Sequence, residues 1–260
     1  MRIVSLAPSN TEILWALGLG DRLVGVTRYC DWPPEARASA EVVGGFVRVE
    51  VDRVLALRPD LVLLSSDLQH EIARELVRRD ATVLALNPVD VEGIYQAIRL
   101  LASVCGRPER AAATIAAMQA RVDGVRQRAA KLPRRPSVYF EEWPRPLRPG
   151  TGWVARFVEV AGGRNVFGVP ADGVRKERAV VGSEDVIAAD PELILAAWCG
   201  ACDRTNPDRI AARPGWDAIA AVRAGRVAVC DDRLIIRPGP RVVEGLEWMA
   251  ERIAETARGG

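Results

Sequence analysis

The sequence predicts an α/β protein of two α/β lobes with central, mostly parallel sheets, joined by one long interlobe helix. Three observations carry that expectation. Short apolar runs alternate with amphipathic stretches along both halves of the chain, at the spacing of strand–helix units. One local phrase, a short helix followed by a Pro-acid turn and a buried strand, is written twice: from Asp52 through Arg58-Pro59-Asp60 to Leu64, and from Glu184 through Asp190-Pro191-Glu192 to Ala196. Between the two copies, Arg107 to Leu132 reads as a single helix. Pro108 and Glu109 suit its first turn. Ile115, Met118, Val122 and Val125 form one apolar face, and Pro133 and Pro136 stop it. A rod of that length spans roughly 35–40 Å.

The elements follow in order. Ile3 to Leu6 is a strand. Ser9 is the expected N-cap of the next helix, with Glu12 at capping-box spacing and Gly18 and Gly20 ending it. Leu23 to Val26 is a strand, and Thr27 to Glu35, with Pro33 and Pro34, a loop. Val54–Leu57 (helix), Leu61–Leu64 (strand), Glu71–Arg79 (helix), Thr82–Leu86 (strand) and Val91–Val104 (helix) complete the first half. After the rod come a strand at Ser137–Glu141, a Pro-rich loop at Trp143–Gly150 and a helix at Trp153–Ala161. A strand at Leu193–Ala197, a short helical stretch at Pro207–Arg213, a strand at Val227–Cys230 and a final helix at Val242–Ala257 close the chain. The expected organisation is an N-terminal lobe at 1–105, a backbone helix at 106–135 and a C-terminal lobe at 136–260. A cleft between lobes is the expected ligand site.

Bulk properties narrow the function classes. The 260 residues accommodate two lobes of about 100–130 residues each. The charges nearly cancel, with 36 basic and 34 acidic residues, and no basic run carries interleaved aromatics, so no nucleic-acid partner is expected. No apolar run reaches the ~18 residues of a membrane span. Met1-Arg2 runs directly into the first strand without a leader pattern, so the expectation is a cytoplasmic protein or a mature form whose leader has been removed. Five cysteines, an odd number, do not make a disulfide framework.

Several side chains are candidates for a site. Tyr29, Trp32, Phe46, Trp143, Trp153 and Trp198 fall in or beside loops and strand ends, where rings can form a wall for a large flat ligand or simply pack. Cys199 and Cys202 form a Cys-x-x-Cys pair, a weak redox or metal motif. His70 is the only histidine, which argues against a multi-histidine metal site and leaves it either a solvated helix-start residue or a lone axial ligand to a metallated macrocycle. Glu141 and Glu142 could act as an acid/base pair, but neighbours on a strand point to opposite faces, so at most one faces the cleft. No nucleophile elbow, phosphate loop or dinucleotide fingerprint is present. Asp52 and Glu184 open the two copies of the repeated phrase. They suit either helix capping or docking on arginines of a two-fold partner.

Taken together, these residues resemble a known family. Arg2 to Leu14, Gly25-Val26-Thr27, Cys30 to Ala36, Arg58 to Val62, Glu159 to Phe167 and Arg237 to Arg241 are similar to the corresponding stretches of the cobalamin- and siderophore-binding proteins of ABC importers. The stretch Asp31-Trp32-Pro33-Pro34-Glu35-Ala36 leans toward the cobalamin-binding branch. The resemblance implies a helical-backbone periplasmic-binding-protein fold and a non-enzymatic solute-binding protein. That protein would hold a corrinoid, or alternatively a ferric siderophore or haem, and serve from a periplasmic or extracytoplasmic location. Its ligand-contacting set would be Pro8, Ser9, Tyr29, Trp32, Phe46, Asp67, Glu142, Trp143, Trp153, Trp198 and Arg237. Asp52 and Glu184 would dock a membrane-embedded permease dimer, with the protein itself a monomer. The other function class is a cytoplasmic enzyme or sensor using Cys199 and Cys202. A single stiff rod would hinge little, which favours a bulky, rigid ligand.

Overall fold

The computed structural model describes residues 1–150, 152–169, 180–201 and 204–259. The chain divides into two compact units: Met1–Ala117 with Pro238–Pro240, and Met118–Arg237 with Arg241–Gly260. The division falls inside one helix. Both units are α/β, as the alternation predicts.

In the first unit, β1 (Ile3–Ser5), β2 (Leu23–Val26), β3 (Glu41–Val42), β4 (Leu61–Leu64) and β5 (Val83–Ala85) form a sheet in the order β3-β2-β1-β4-β5. Every pairing is parallel. Helices α1 (Pro8–Ala16), α2 (Pro34–Ser39), α3 (Val51–Ala56) and α4 (His70–Arg78) make the crossovers, and α5 (Val91–Val104) follows the last strand. Val4, Leu6, Val54, Val62, Leu64 and Leu76 form a core cluster against one face. Asp90 starts α5 by accepting the Gly93 N–H at 2.7 Å.

Helix α6 (Pro108–Ala129) is shorter than the expected span to Leu132. Beyond Ala129 the chain goes on in turn-like bonds, such as Leu132 N–H to the Ala129 carbonyl at 3.1 Å. Ala111, Ile115, Met118, Val122 and Val125 are its buried stripe, close to the face read from the sequence.

In the second unit, β6 (Ser137–Pro144), β7 (Leu147–Pro149), β9 (Leu193–Ala196) and β10 (Val227–Val229) order as β10-β9-β6-β7, with β8 (Arg164–Asn165) also on β6. All pairings are parallel except β6–β7. Helices α7 (Gly152–Val160), α8 (Ser183–Ala189), α9 (Pro207–Ala211), α10 (Ala220–Arg223), α11 (Asp232–Ile235) and α12 (Val242–Arg258) surround it.

The repeated phrase is one structural unit used twice. It gives α3–β4 in the first lobe and α8–β9 in the second, and both strands are buried at every residue. The residue before each proline is left-handed, Arg58 at φ 47° and Asp190 at φ 39°. The acid after each proline then bridges to the start of the neighbouring strand. Asp60 accepts the Arg2 N–H at 2.6 Å, and its own N–H bonds the Arg2 carbonyl at 2.8 Å. Glu192 accepts the Ser137 N–H at 2.8 Å, and its own N–H bonds the Ser137 carbonyl at 3.0 Å.

Three local expectations are corrected. Ser9 is not an N-cap: Pro8 already occupies the first helical turn, Ala7 is the cap residue, and Ser9 lies inside the helix with its hydroxyl 3.1 Å from that of Ser65. The stretch Trp143–Gly150 is not a loop throughout. Strand β6 runs on to Pro144 and turns back as β7, a sheet edge where proline's missing N–H costs no ladder bond. The loop after β2 is cut short by α2, which starts at Pro34.

Candidate functional site

In each sheet the parallel strands end at one edge, and many of the candidate residues lie at or just beyond those strand ends. The loop after β1 brings Pro8, half-buried, and Ser9, buried. Three consecutive polar residues of α1 are buried here with partners at the strand ends: the Ser9 hydroxyl lies 3.1 Å from that of Ser65, Asn10 donates to the Leu64 carbonyl at 3.0 Å, and Thr11 to the Ser5 hydroxyl at 2.9 Å. The loop after β2 carries Tyr29 and Trp32, each 45% exposed. Rings that large are often covered, and two part-exposed ones on a single loop are candidates for a ligand contact. Phe46, half-buried, is carried by the tight loop that follows β3, where Gly44 and Val49 pair and the Gly45 N–H bonds the Arg48 carbonyl at 2.7 Å. Gly44 has φ 137°, and a Cβ there would lie 2.6 Å from the Arg48 carbonyl oxygen, so the loop closes only on glycine. Asp67, half-buried, begins the turn into α4.

The second lobe is built differently. Glu142 is half-buried, and Trp143 is 37% exposed with its indole N–H on the Arg145 carbonyl at 2.9 Å. Arg237 is half-buried. Trp153 and Trp198 are only 7% and 8% exposed. Trp153 donates to the Ile235 carbonyl at 2.8 Å and Trp198 to the Glu141 carboxylate at 2.8 Å, so both serve chiefly as packing. Glu141 itself is fully buried. Arg213 grips it with two nitrogens at 2.6 and 2.7 Å, and the Tyr139 hydroxyl adds a bond at 3.3 Å. Arg213 in turn lies over the Trp216 ring at 4.5 Å, and the Trp216 indole donates to the Ser183 hydroxyl at 2.7 Å. Burial, with the Glu141 charge beside it, drives the Tyr139 hydroxyl far above its ordinary pKa, so it stays a donor. A carboxylate so fully engaged is an anchor rather than a general base. Glu141 and Glu142 thus differ in burial, as neighbours on a strand with opposite faces do.

The remaining candidates are the histidine, the cysteines and the two helix-start acids. His70 is exposed at the start of α4, its Nδ1 2.8 Å from the Asp67 carbonyl and its Nε2 3.2 Å from Glu71. Among the described residues no group of three or more His, Cys, Asp and Glu side chains could hold a metal ion. Cys199 reaches solvent, yet the protein crowded around its thiol, with the Glu142 and Asp232 charges, pushes its pKa up to about 11. At neutral pH it is a protonated thiol, the unreactive form. Cys202 lies outside the described residues. Asp52 and Glu184 are exposed on the first turns of α3 and α8, and neither caps its helix. Asp185 takes the capping bond from the Gly182 N–H at 2.7 Å, while Asp52 pairs with Arg79 at 2.7 Å.

Sequence reasoning passed over two residues that organise these loops, Gln69 and Arg213. Neither type of side chain marks chemistry, and their partners are 23–63 and 72 residues away along the chain, apart from the Gln69–Ser65 bond. No local pattern could have found them.

Among the described residues no helix is long and apolar enough to cross a membrane. The sequence pattern described as "Periplasmic binding protein" matches residues 3–234. An uncharacterized ABC transporter substrate-binding lipoprotein of Bacillus subtilis is 30% identical, the match covering 97% of this chain and 79% of the relative. A vitamin B12-binding protein of Yersinia pestis is 31% identical over 199 residues, 75% of this chain and 69% of the relative. Among solved structures, the periplasmic heme-binding protein RhuT from Roseiflexus sp. RS-1 superposes with a TM-score of 0.82 at 26% identity, covering 98% of each chain. The periplasmic vitamin B12-binding protein of Vibrio cholerae superposes with a TM-score of 0.77 at 24% identity, covering 100% of this chain and 98% of the other. With the fold, the matched span and these relatives in agreement, the chain belongs to the periplasmic binding protein family, the extracytoplasmic, non-enzymatic solute-binding components of ABC importers.

Proposed function

We propose that this protein captures a corrinoid of the cobalamin type outside the cytoplasm and delivers it to an ABC importer. The observation that carries the reading is the set of exposed rings: Tyr29 and Trp32 on the loop after β2, and Trp143 near the carboxyl end of β6, with the half-buried Phe46 on the loop after β3. Flat faces of that kind suit a rigid macrocycle held by stacking and van der Waals contact. Ser9, Asp67, Glu142 and Arg237 would supply polar contacts, and Pro8, Trp153 and Trp198 apolar ones. Asp52 and Glu184, one exposed acid on the corresponding helix of each lobe, are the docking points for a two-fold permease. Relatives named as vitamin B12-binding proteins support the corrinoid. The heme-binding relative at 26% identity supports haem as the second reading, with a ferric siderophore as a further alternative.

Isothermal titration with cyanocobalamin, cobinamide, haem and a ferric hydroxamate siderophore tests the reading. The corrinoids are expected to bind tightest, and the double variant Tyr29→Ala/Trp143→Ala to lose about tenfold in affinity or more. Tighter binding of haem or the siderophore would select the second reading, and binding of none would end both. Reversing Asp52 and Glu184 together to Lys is expected to stop uptake while leaving ligand affinity unchanged. A loss of affinity instead would remove their docking role.

A further inference from the structure

Gln69 is fully buried at the junction between the turn Asp67–Gln69 and α4, and every polar atom of its side chain is engaged. Its Oε1 accepts the Ser65 N–H at 2.8 Å. Its Nε2 donates to the Leu6 carbonyl at 2.9 Å and to the Phe46 carbonyl at 2.8 Å. A single carboxamide thus joins three segments that meet only through tertiary structure: the end of β1, the end of β4, and the glycine loop after β3. Each segment leads straight into the ring-bearing edge. Leu6 precedes Pro8 and Ser9, Ser65 precedes Asp67, and Phe46 is itself a ring of that edge. The glycine loop is also tied to the loop after β2, because the Arg28 N–H bonds the Gly44 carbonyl at 2.9 Å and the Tyr29 ring lies over Gly45, its Cε2 3.6 Å from where a Cβ would stand.

We propose that Gln69 is a positioning residue for the ligand surface, its amide holding the 44–49 loop against the ends of β1 and β4 so that Phe46 and Tyr29 are presented preformed. The role rests on the solute-binding reading above. An amide is suited to it because it accepts and donates at once, whereas a carboxylate only accepts. Two buried carbonyls left without their donor would turn away toward water and carry the loop with them. A loop ordered only on ligand arrival would subtract its ordering cost from the affinity.

The test is Gln69→Glu beside Gln69→Leu, titrated with cyanocobalamin and haem between pH 5 and pH 8, with circular dichroism confirming that each variant is folded. In Gln69→Glu the introduced carboxyl, when protonated, can still accept from Ser65 and donate one bond, and burial favours that neutral form. The Gln69→Glu affinity, taken as a ratio to wild type at each pH, is therefore expected to be modestly below unity at pH 5, where one of the two donated bonds is lost, and to fall about tenfold further toward pH 8, roughly the worth of the second buried hydrogen bond. The ratio removes contributions from Asp67 and His70, which both proteins share. Gln69→Leu is expected to be weakened at every pH. Folded variants whose affinity matches wild type throughout would overturn the positioning role and leave Gln69 a purely structural amide. If wild type binds no probe, the solute-binding reading fails, and hydrogen exchange at the Arg28, Gly45 and Glu50 amides decides the positioning role by itself. Faster exchange in Gln69→Leu than in wild type supports it, and equal exchange overturns it.

Discussion

The two lobes are alike at the end where their strands begin and unlike at the end where they finish. At the beginning, the same Pro-acid turn places an acid so that it bridges to the neighbouring strand, Asp60 onto Arg2 and Glu192 onto Ser137. At the finishing edge the first lobe is fastened by a neutral amide, Gln69, and the second by a buried ion pair, Glu141 with Arg213. The scaffold is repeated, while the edge where the strands end is individually built. The difference has an energetic consequence. A neutral amide loses a few hydrogen bonds when removed, whereas a fully buried carboxylate stripped of its arginine is an uncompensated charge.

The largest expected effect breaks the charged fastening. Arg213→Met leaves Glu141 buried without its cation and is expected to cost about 3–5 kcal/mol in urea unfolding. Adding Glu141→Gln to it removes the stranded charge while keeping an acceptor for Trp198, and should recover at least about 1 kcal/mol of that loss. Gln69→Leu comes next, at about 2–3 kcal/mol for its orphaned backbone groups. A Gln69→Leu penalty equal to that of Arg213→Met, or a double variant no better than the single, would erase the contrast between the lobes.

The smallest effect tests a partly exposed pair for comparison. Arg121 bonds Glu247 at 2.9 and 2.5 Å, and that bond foremost, against the opposing effect of burial, holds the Glu247 carboxyl below its ordinary range. A depressed carboxylate stabilises the fold above its unfolded pKa of about 4.3 and loses that contribution as pH falls through the lower folded value. Thermal melts of wild type and Glu247→Gln should therefore differ at pH 7 by no more than about 1 kcal/mol and converge as the pH falls below about 4. A difference that persists at pH 3 would mean that packing, not charge, sets the contribution of this pair.

The sequence exposed what is repeated and local. Leu23–Val26, Leu61–Leu64 and Val91–Val104 match their observed elements because apolar runs and an Asp cap specify them within a few residues. The twofold phrase announced two lobes before any contact was known. Capping was less readable at α1, where Ser9 and Glu12 spell a capping box but Pro8 starts the helix first. The ring set was legible as a list of types, but composition could not separate the exposed Tyr29, Trp32 and Trp143 from the covered Trp153 and Trp198. Burial depends on what the rest of the lobe brings against a ring.

The sequence alone therefore determined the fold class and the helix within which the two units divide. Periodicity, proline and glycine act over a few residues, and such signals survive without tertiary contacts. Only the tertiary structure decided that Gln69 ties Leu6, Phe46 and Ser65 together, and that Glu141 belongs to Arg213 rather than to solvent. Those bonds join groups up to 72 residues apart along the chain, and their partners are chosen by which backbone and side-chain groups the folded lobe leaves buried and unsatisfied.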